Sequence, residues 1–173
     1  MRPIVLTHRV GCSGDPGVTG ADANRELARR ALEDVCSGRM LEQVDEVYHS
    51  EFVDHVNAAE YRGPRGARES VALYRAIFSD LRFTVDEQLT EGDRVASRWT
   101  LTGTHRGRQV RLRGIVISHI RGGKIVEDWA SSDSLDLLRQ LGVRRSVALL
   151  LKHWRTVLRT ARRSPPKPGA EGA

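Results

Sequence analysis

The chain has 173 residues, of which 39% are hydrophobic and 29% charged. This length suits one globular domain that buries a core of its own. No run approaches the roughly 18 consecutive apolar residues of a membrane span, and the N-terminus lacks the apolar stretch of a signal peptide, so we expect a cytoplasmic protein. The two cysteines, Cys12 and Cys36, lack the spacing of a disulfide framework or a zinc site, so we expect no metal.

The positive charge is concentrated at the C-terminus. Residues 144–173 carry eight of the 28 basic residues and a single acid, whereas residues 1–143 sum to a charge of −1. A body without a basic face has no evident footprint for phosphate groups, so the charge pattern argues against nucleic acid as a partner.

Composition divides the chain into four segments. Residues 1–20 are rich in glycine and predict a disordered lead-in, residues 21–143 predict one folded domain, and residues 164–173 predict a disordered tail. Residues 144–163 predict a basic amphipathic helix. We expect that helix to pack on the domain or on a second subunit; contact with an anionic membrane surface is the less favoured alternative.

Helices are predicted in the first half of the domain and strands in the second. Apolar residues at helical spacing mark one helix from Asp22 to Gly38, a second at about 40–48 and a third after the turn at 63–66. After Asp80 the hydrophobic period changes to two, with turn signals between the strands. This order predicts an α+β fold, with the N-terminal helices packed on a curved antiparallel sheet.

The first strong hairpin signal assigns residues to the two faces of the sheet. A two-residue turn at Arg106-Gly107 pairs Trp99 with Gly114. It places one apolar set on the inner face, namely Val95, Trp99, Leu101, Leu112, Val116 and Ile120. The opposite face then carries Arg94, Arg98, Arg111, Arg113 and His119.

The second hairpin decides which acid faces inward. A two-residue turn at Gly122-Gly123, which suits a type I′ turn, places Glu127, Trp129 and Asp133 inside. A three-residue loop moves the register by one residue and places Asp128 inside instead. We favour the first. Burial of a carboxylate on an apolar face raises its pKa, which suits acid/base chemistry near neutral pH.

The candidate catalytic residues are Asp133, His55 and Asp128. Each has a structural alternative: Asp133 as the cap of a helix at 134, Asp128 as a solvated strand residue, and His55 as a buried, hydrogen-bonded side chain. The candidate substrate-binding residues are Phe52, Trp99, Leu101, Val116, Ser118, Trp129 and His105. Because His105 lies beside a turn, a structural role is its alternative.

Several segments in order resemble one known family. They are FVDH at 52–55, GPRG at 63–66, DLRFTV at 80–85, EGDRV at 91–95, RWTLTGTH at 98–105, GKIVEDW at 123–129, Asp133 and LLRQLGV at 137–143. Over about residues 23–143 the chain resembles the SnoaL-like polyketide cyclase family, which has the cone-shaped nuclear transport factor 2-like fold. One departure is that residues 106–110 lead almost directly into the next strand, where relatives carry a longer segment; this shortens the pocket rim.

The resemblance implies a homodimer with an apolar pocket between sheet and helices, which takes a small hydrophobic or aromatic substrate. It implies an enzyme without metal or cofactor that closes a ring by intramolecular aldol condensation, or performs a related isomerisation. A pocket aspartate, here Asp133, acts as acid and base, with His55 on the pocket side. Two alternatives stay open: a non-catalytic ligand-binding or dimerisation module, and an epoxide hydrolase, whose chemistry needs two carboxylates and an arginine.

Overall fold

The computed structural model describes residues 20–141. Its centre is a six-stranded sheet in the order β2-β1-β6-β5-β4-β3. The strands are β1 (Tyr48–Val56), β2 (Ala59–Arg62), β3 (Arg82–Glu91), β4 (Arg94–His105), β5 (Arg108–Arg121) and β6 (Lys124–Ser132). All neighbouring strands are antiparallel except β1 and β6, which are parallel. The predicted α+β fold is confirmed, and β1 and β2 are additional strands inserted between the helices.

Within residues 20–141, four helices accompany this sheet. They are α1 (Gly20–Arg30), which continues through a π-helical turn (Ala31–Cys36), α2 (Val44–Val47), which follows a 3-10 turn (Leu41–Gln43), α3 (Gly63–Ile77) and α4 (Ser134–Leu141). Pro64 lies in the first turn of α3, where its missing N–H leaves no helical hydrogen bond unmade. The first helix, α1, was predicted to begin at Asp22 and begins two residues earlier, at Gly20.

The core lies between the helices and one face of the sheet. The six apolar residues assigned to the inner face of β4 and β5 are all at least 96% buried. Arg94, Arg98, Arg111 and Arg113 are exposed on the opposite, outer face. Burial of each large apolar side chain contributes about 1.5–3 kcal/mol, which fixes the inner and outer faces of the central strands.

The β4–β5 hairpin has the predicted register. Arg106 and Gly107 form its two-residue turn with φ angles of 49° and 78°, and Trp99 pairs with Gly114. The indole of Trp99 lies directly over Gly114, because a Cβ on that glycine would come within 2.3 Å of Trp99 Cζ2. The glycine therefore makes room for the ring on the inner face.

The β5–β6 hairpin has the predicted turn but not the predicted register. Gly122 and Gly123 take positive φ angles of 59° and 73°, and Ile120 pairs with Ile125 as expected. The next pair is His119 with Glu127, so Val126 is an extra residue that forms a β-bulge. A shift of one residue turns every later side chain of the strand to the opposite face.

The bulge overturns the predicted inward placement of Asp133 and Trp129. Asp128 pairs with Ser118 and is buried on the inner face, with 7% of its surface exposed. Trp129 pairs with Ile117 on the outer face and is 49% exposed. Asp133 lies beyond the end of β6 and is exposed. The inward-facing acid of β6 is therefore Asp128, which we had expected on this face only if the β5–β6 loop had three residues.

The predicted terminal segments lie outside the described residues. This applies to the lead-in at 1–20, except for Gly20, to the basic helix at 144–163 and to the tail at 164–173. Within residues 20–141, no helix is long and apolar enough to cross a membrane.

Candidate active site

Two aspartates lie side by side on the parallel pair of strands β1 and β6. Asp54 on β1 is the register partner of Asp128 on β6. Neighbouring strands lie about 4.8 Å apart, and side chains in register point to the same face. Phe52, two residues before Asp54, is 99% buried in the core, which places the Asp54 carboxyl on the inner face as well. The fold thus brings two carboxyl groups side by side inside the cone.

Asp128 is the more deeply buried member of this pair. The Ser118 hydroxyl donates a hydrogen bond to its carboxyl group, whereas Oδ1 is buried without a hydrogen-bond partner. Burial is the main cause that raises the pKa of Asp128, to about 7; the Ser118 hydrogen bond lowers it and the charge of Glu127 raises it further. At neutral pH Asp128 therefore exchanges readily between acid and base.

Asp54 is partly exposed as a residue, but its carboxyl group is buried, like that of Asp128. Burial, followed by the charge of Asp128, raises the pKa of Asp54 well above its usual range. No cation among residues 20–141 lowers the pKa of either carboxyl group. Two adjacent carboxylates without a cation cannot both ionise at neutral pH, so the pair retains at least one proton.

Neutral hydroxyl and thiol groups interact electrostatically with this carboxyl pair. Burial, with the charge of Asp54 adding to it, raises the pKa of Tyr61 and Tyr74. Tyr48 Oη lies 3.7 Å from Cys36 Sγ, and burial raises the pKa of that thiol to about 12. Burial also raises the pKa of Tyr48 well above its usual range. All three tyrosines of the chain therefore stay protonated, as hydrogen-bond donors rather than bases.

The predicted substrate-binding residues mostly lie on this inner face. Phe52, Leu101, Val116 and Ser118 are all buried there. Trp99 is buried against Phe83, with ring centroids 5.1 Å apart, and its indole Nε1 has no hydrogen-bond partner. The inner face of the described residues therefore combines an apolar wall with three unpartnered buried polar atoms: Trp99 Nε1, Asp128 Oδ1 and, at the end of β4, His105 Nε2.

His55 does not join the site. Its ring stacks on Trp129 on the outer face, with centroids 3.9 Å apart. Its nitrogens lie 3.5 Å from Glu60 Oε2 and 3.2 Å from Glu127 Oε1. The expected pocket-side position of His55 was therefore wrong: successive residues of β1 point to opposite faces, and Asp54 occupies the inner one.

Asp133 and His105 have structural contacts. Asp133 Oδ1 accepts a hydrogen bond of 2.9 Å from the Asp136 backbone N–H, and its backbone carbonyl accepts one from Leu137. This is the helix-cap alternative considered above. His105 is buried, and its Nδ1–H donates to the Ile77 carbonyl at 2.8 Å. His105 therefore connects the end of β4 to the end of α3.

A comparison with models of protein families identifies the family of this chain. The family model described as SnoaL-like polyketide cyclase matches residues 26–141. The chain belongs to this family. Within residues 20–141, no group of three or more His, Cys, Asp or Glu side chains is arranged to hold a metal ion.

Solved structures of similar proteins confirm the nuclear transport factor 2-like fold. A proposed polyketide cyclase from Bacillus cereus is 28% identical, with a TM-score of 0.64 over 70% of this chain and 82% of that one. TsrD from Streptomyces laurentii is 26% identical, with a TM-score of 0.62 over 69% and 95%. A loop-truncation variant of IdmH is 29% identical, with a TM-score of 0.62 over 69% and 99%. A comparison with curated proteins found no match.

Asp54 is the site residue that the sequence analysis missed. It stands in the FVDH segment that carries part of the SnoaL-like resemblance, next to His55, which was predicted to be the site residue. The alternation of Phe52 and Asp54 on one face was a usable signal. The pairing with Asp128 was not visible, because it depends on β1 lying parallel to a strand more than 70 positions away in the sequence.

Proposed function

We propose that this SnoaL-like protein is an acid/base enzyme in which Asp128 removes a proton from the carbon next to a carbonyl group. The observation that carries this proposal is the buried, unpartnered Asp128 Oδ1 on the inner face. An unpartnered buried acceptor destabilises the fold by about 1–3 kcal/mol, and a reactive role for the group accounts for that.

The reaction that fits this site is a ring closure by intramolecular aldol condensation or a related isomerisation. Asp128 takes the proton from carbon, and the electron pair of the C–H bond moves into the new C=C bond as the carbonyl oxygen becomes negative. In the aldol case the resulting carbon nucleophile attacks a second carbonyl of the same molecule. Asp128 then returns its proton to the alkoxide, so no external oxidant or reductant is needed.

The surroundings of the pair support a neutral, hydrophobic or aromatic substrate. Val116 and Trp99 provide apolar surface on the same face, and no cation among the described residues stabilises either acid. The family membership supports a polyketide-type compound. No step of this proton transfer calls for a cofactor.

The carboxyl pair also favours a second candidate, opening of an epoxide by water. One carboxylate would take a proton from the water while the other carboxyl group protonates the epoxide oxygen. That chemistry uses a cation to hold the two acids in different protonation states. The described part of the chain brings no arginine to the pair, so we rank this candidate second.

Proton abstraction is tested with a simple ketone. In D2O, 2-tetralone, a bicyclic aromatic ketone with acidic C–H bonds, loses its α-proton NMR signal as deuterium replaces hydrogen. We expect the protein to accelerate this exchange and Asp128→Asn to slow it by about 10²–10⁴-fold, the usual contribution of one positioned base.

Asp133→Asn is the matched control, because it removes the same charge and keeps a good helix cap. We expect its exchange rate to stay within about twofold of that of the unaltered protein. Exchange no faster than in buffer would favour the non-catalytic binding module. A loss in Asp133→Asn equal to that in Asp128→Asn would return the catalytic role to Asp133.

A further inference from the structure

The two acids of the pair differ in what stabilises their charged forms. Asp128 receives a hydrogen bond from the Ser118 hydroxyl. Asp54 makes no hydrogen bond or ion pair with any group between residues 20 and 141 that would favour its carboxylate. A hydrogen bond to the charged form favours ionisation, so the negative charge of the pair resides on Asp128 and the proton on Asp54.

The same geometry places the two carboxyl groups side by side on the inner face. Asp128 is 93% buried, and Asp54 lies beside it in register with its carboxyl group buried on the same face. Because the strands are in register at this pair, one carbonyl group and the carbon beside it can contact both carboxyls at once. The carbon that loses its proton then contacts the base, Asp128, and the carbonyl oxygen contacts the neutral acid, Asp54.

We propose that Asp54 is a second catalytic residue, whose protonated carboxyl donates a hydrogen bond to the substrate oxygen as that oxygen becomes negative. This inference rests on the proposed function of Asp128. While Asp128 takes the proton from carbon, the O–H bond of Asp54 stays intact or its proton passes to the new oxyanion. In the second case the proton comes back when the carbonyl re-forms, so charge and protons balance over the cycle.

A neutral carboxylic acid is an effective donor in such a place. Preorganised donors aimed at a developing charge act strongly where water is excluded, and an apolar site keeps a carboxyl group protonated for this purpose. Tyr48 is less suited, because its hydroxyl already contacts the Cys36 thiol. Tyr61 is the register partner of Asp54 on β2, and the charge of Asp54 acts on both Tyr61 and Tyr74.

The test compares two substitutions of Asp54 in the 2-tetralone exchange assay. Asp54→Asn keeps an N–H donor but cannot ionise, so we expect it to retain exchange to within about tenfold of the unaltered protein. Asp54→Ala removes the donor, and we expect a loss of about 10²–10³-fold. Asp54→Leu, which preserves bulk, should match Asp54→Ala; melting curves confirm that all three variants fold.

The pH profile separates a donor from a merely structural residue. For the unaltered protein, exchange should rise through about pH 7 as Asp128 ionises and fall again at higher pH as Asp54 loses its proton. Asp54→Asn should keep the rise and lose the fall. An unchanged profile in Asp54→Asn, or full activity in Asp54→Ala, would overturn the role of Asp54 alone. Full activity in Asp128→Asn would instead overturn the proposed function itself.

Discussion

Single residues: the inner-face carboxyls destabilise the fold when they are charged, because burial removes their hydration. Their pKa values are raised in the folded chain, Asp128 to about 7 and Asp54 well above its usual range. Between about pH 4 and pH 7 the unfolded chain gives up these protons while the folded chain keeps them. The protonated carboxyls of Asp54 and Asp128 therefore contribute to the stability of the fold at low pH, and this contribution is lost as the pH rises.

We expect the melting temperature of the unaltered protein to fall more steeply between pH 5 and pH 8 than that of the double variant Asp54→Asn/Asp128→Asn. At pH 8 the double variant should be the more stable of the two, although it lacks the proposed base. The lowered pKa values of Asp80 and Asp93 do not interfere, because those groups titrate below this window. Melting curves at four pH values test this; parallel curves would contradict the buried acid pair.

Secondary-structure elements: the bulge at Val126 decides which acid reaches the inner face. Alternating apolar residues and turn signals predicted strands β3 to β6, the turns at 106–107 and 122–123, and the whole register of the β4–β5 hairpin. They did not predict the bulge, because residues 125–133 do not alternate regularly between apolar and polar side chains. One extra residue therefore cannot be recognised in the pattern of this segment. The orientation of Asp128, Trp129 and Asp133 therefore depended on pairing between strands, which local sequence does not encode.

Gly114 provides a second prediction for an element. A Cβ at this position would lie 2.3 Å from Trp99 Cζ2 and 2.6 Å from the Ser131 carbonyl oxygen. Because a rigid ring and a backbone atom cannot both move away, we expect Gly114→Ala to destabilise the fold by about 1–3 kcal/mol or more.

The matched control is Gly20→Ala, whose Cβ would meet nothing within 4 Å. Urea unfolding of both variants measures the difference in their free energies of unfolding. Equal midpoints for Gly114→Ala and the unaltered protein would mean that Trp99 does not lie over β5, and would remove the ring from the inner wall.

Whole molecule: the outer face of the sheet exposes large apolar side chains on neighbouring strands. Ile115 and Ile117 on β5 are 51% and 41% exposed, and Trp129 lies beside Ile117 on β6. An exposed apolar cluster of this kind is typical of a protein interface, and a two-fold symmetric dimer buries it on both copies. We therefore expect the homodimer that the family resemblance implies to form through this face.

Light scattering after gel filtration measures this directly. We expect a dimer for the unaltered chain and a monomer for Ile117→Lys, since a charge at the centre of an apolar contact has no partner. Leu135→Lys on α4, which changes an equally apolar and 69% exposed residue elsewhere, should leave the dimer intact. A monomeric unaltered chain, or a dimer that survives Ile117→Lys, would contradict this interface.

Asp54 and Asp128 form a buried carboxyl pair inside the cone that retains at least one proton at neutral pH, and carbon NMR of their side-chain carboxyls measures this without any substrate. In protein labelled at aspartate, the two signals are assigned with Asp54→Asn and Asp128→Asn. We expect the unaltered protein to show one carboxyl titrating near pH 7 and the other still protonated there. Ionisation of both Asp54 and Asp128 below pH 5 would contradict the account.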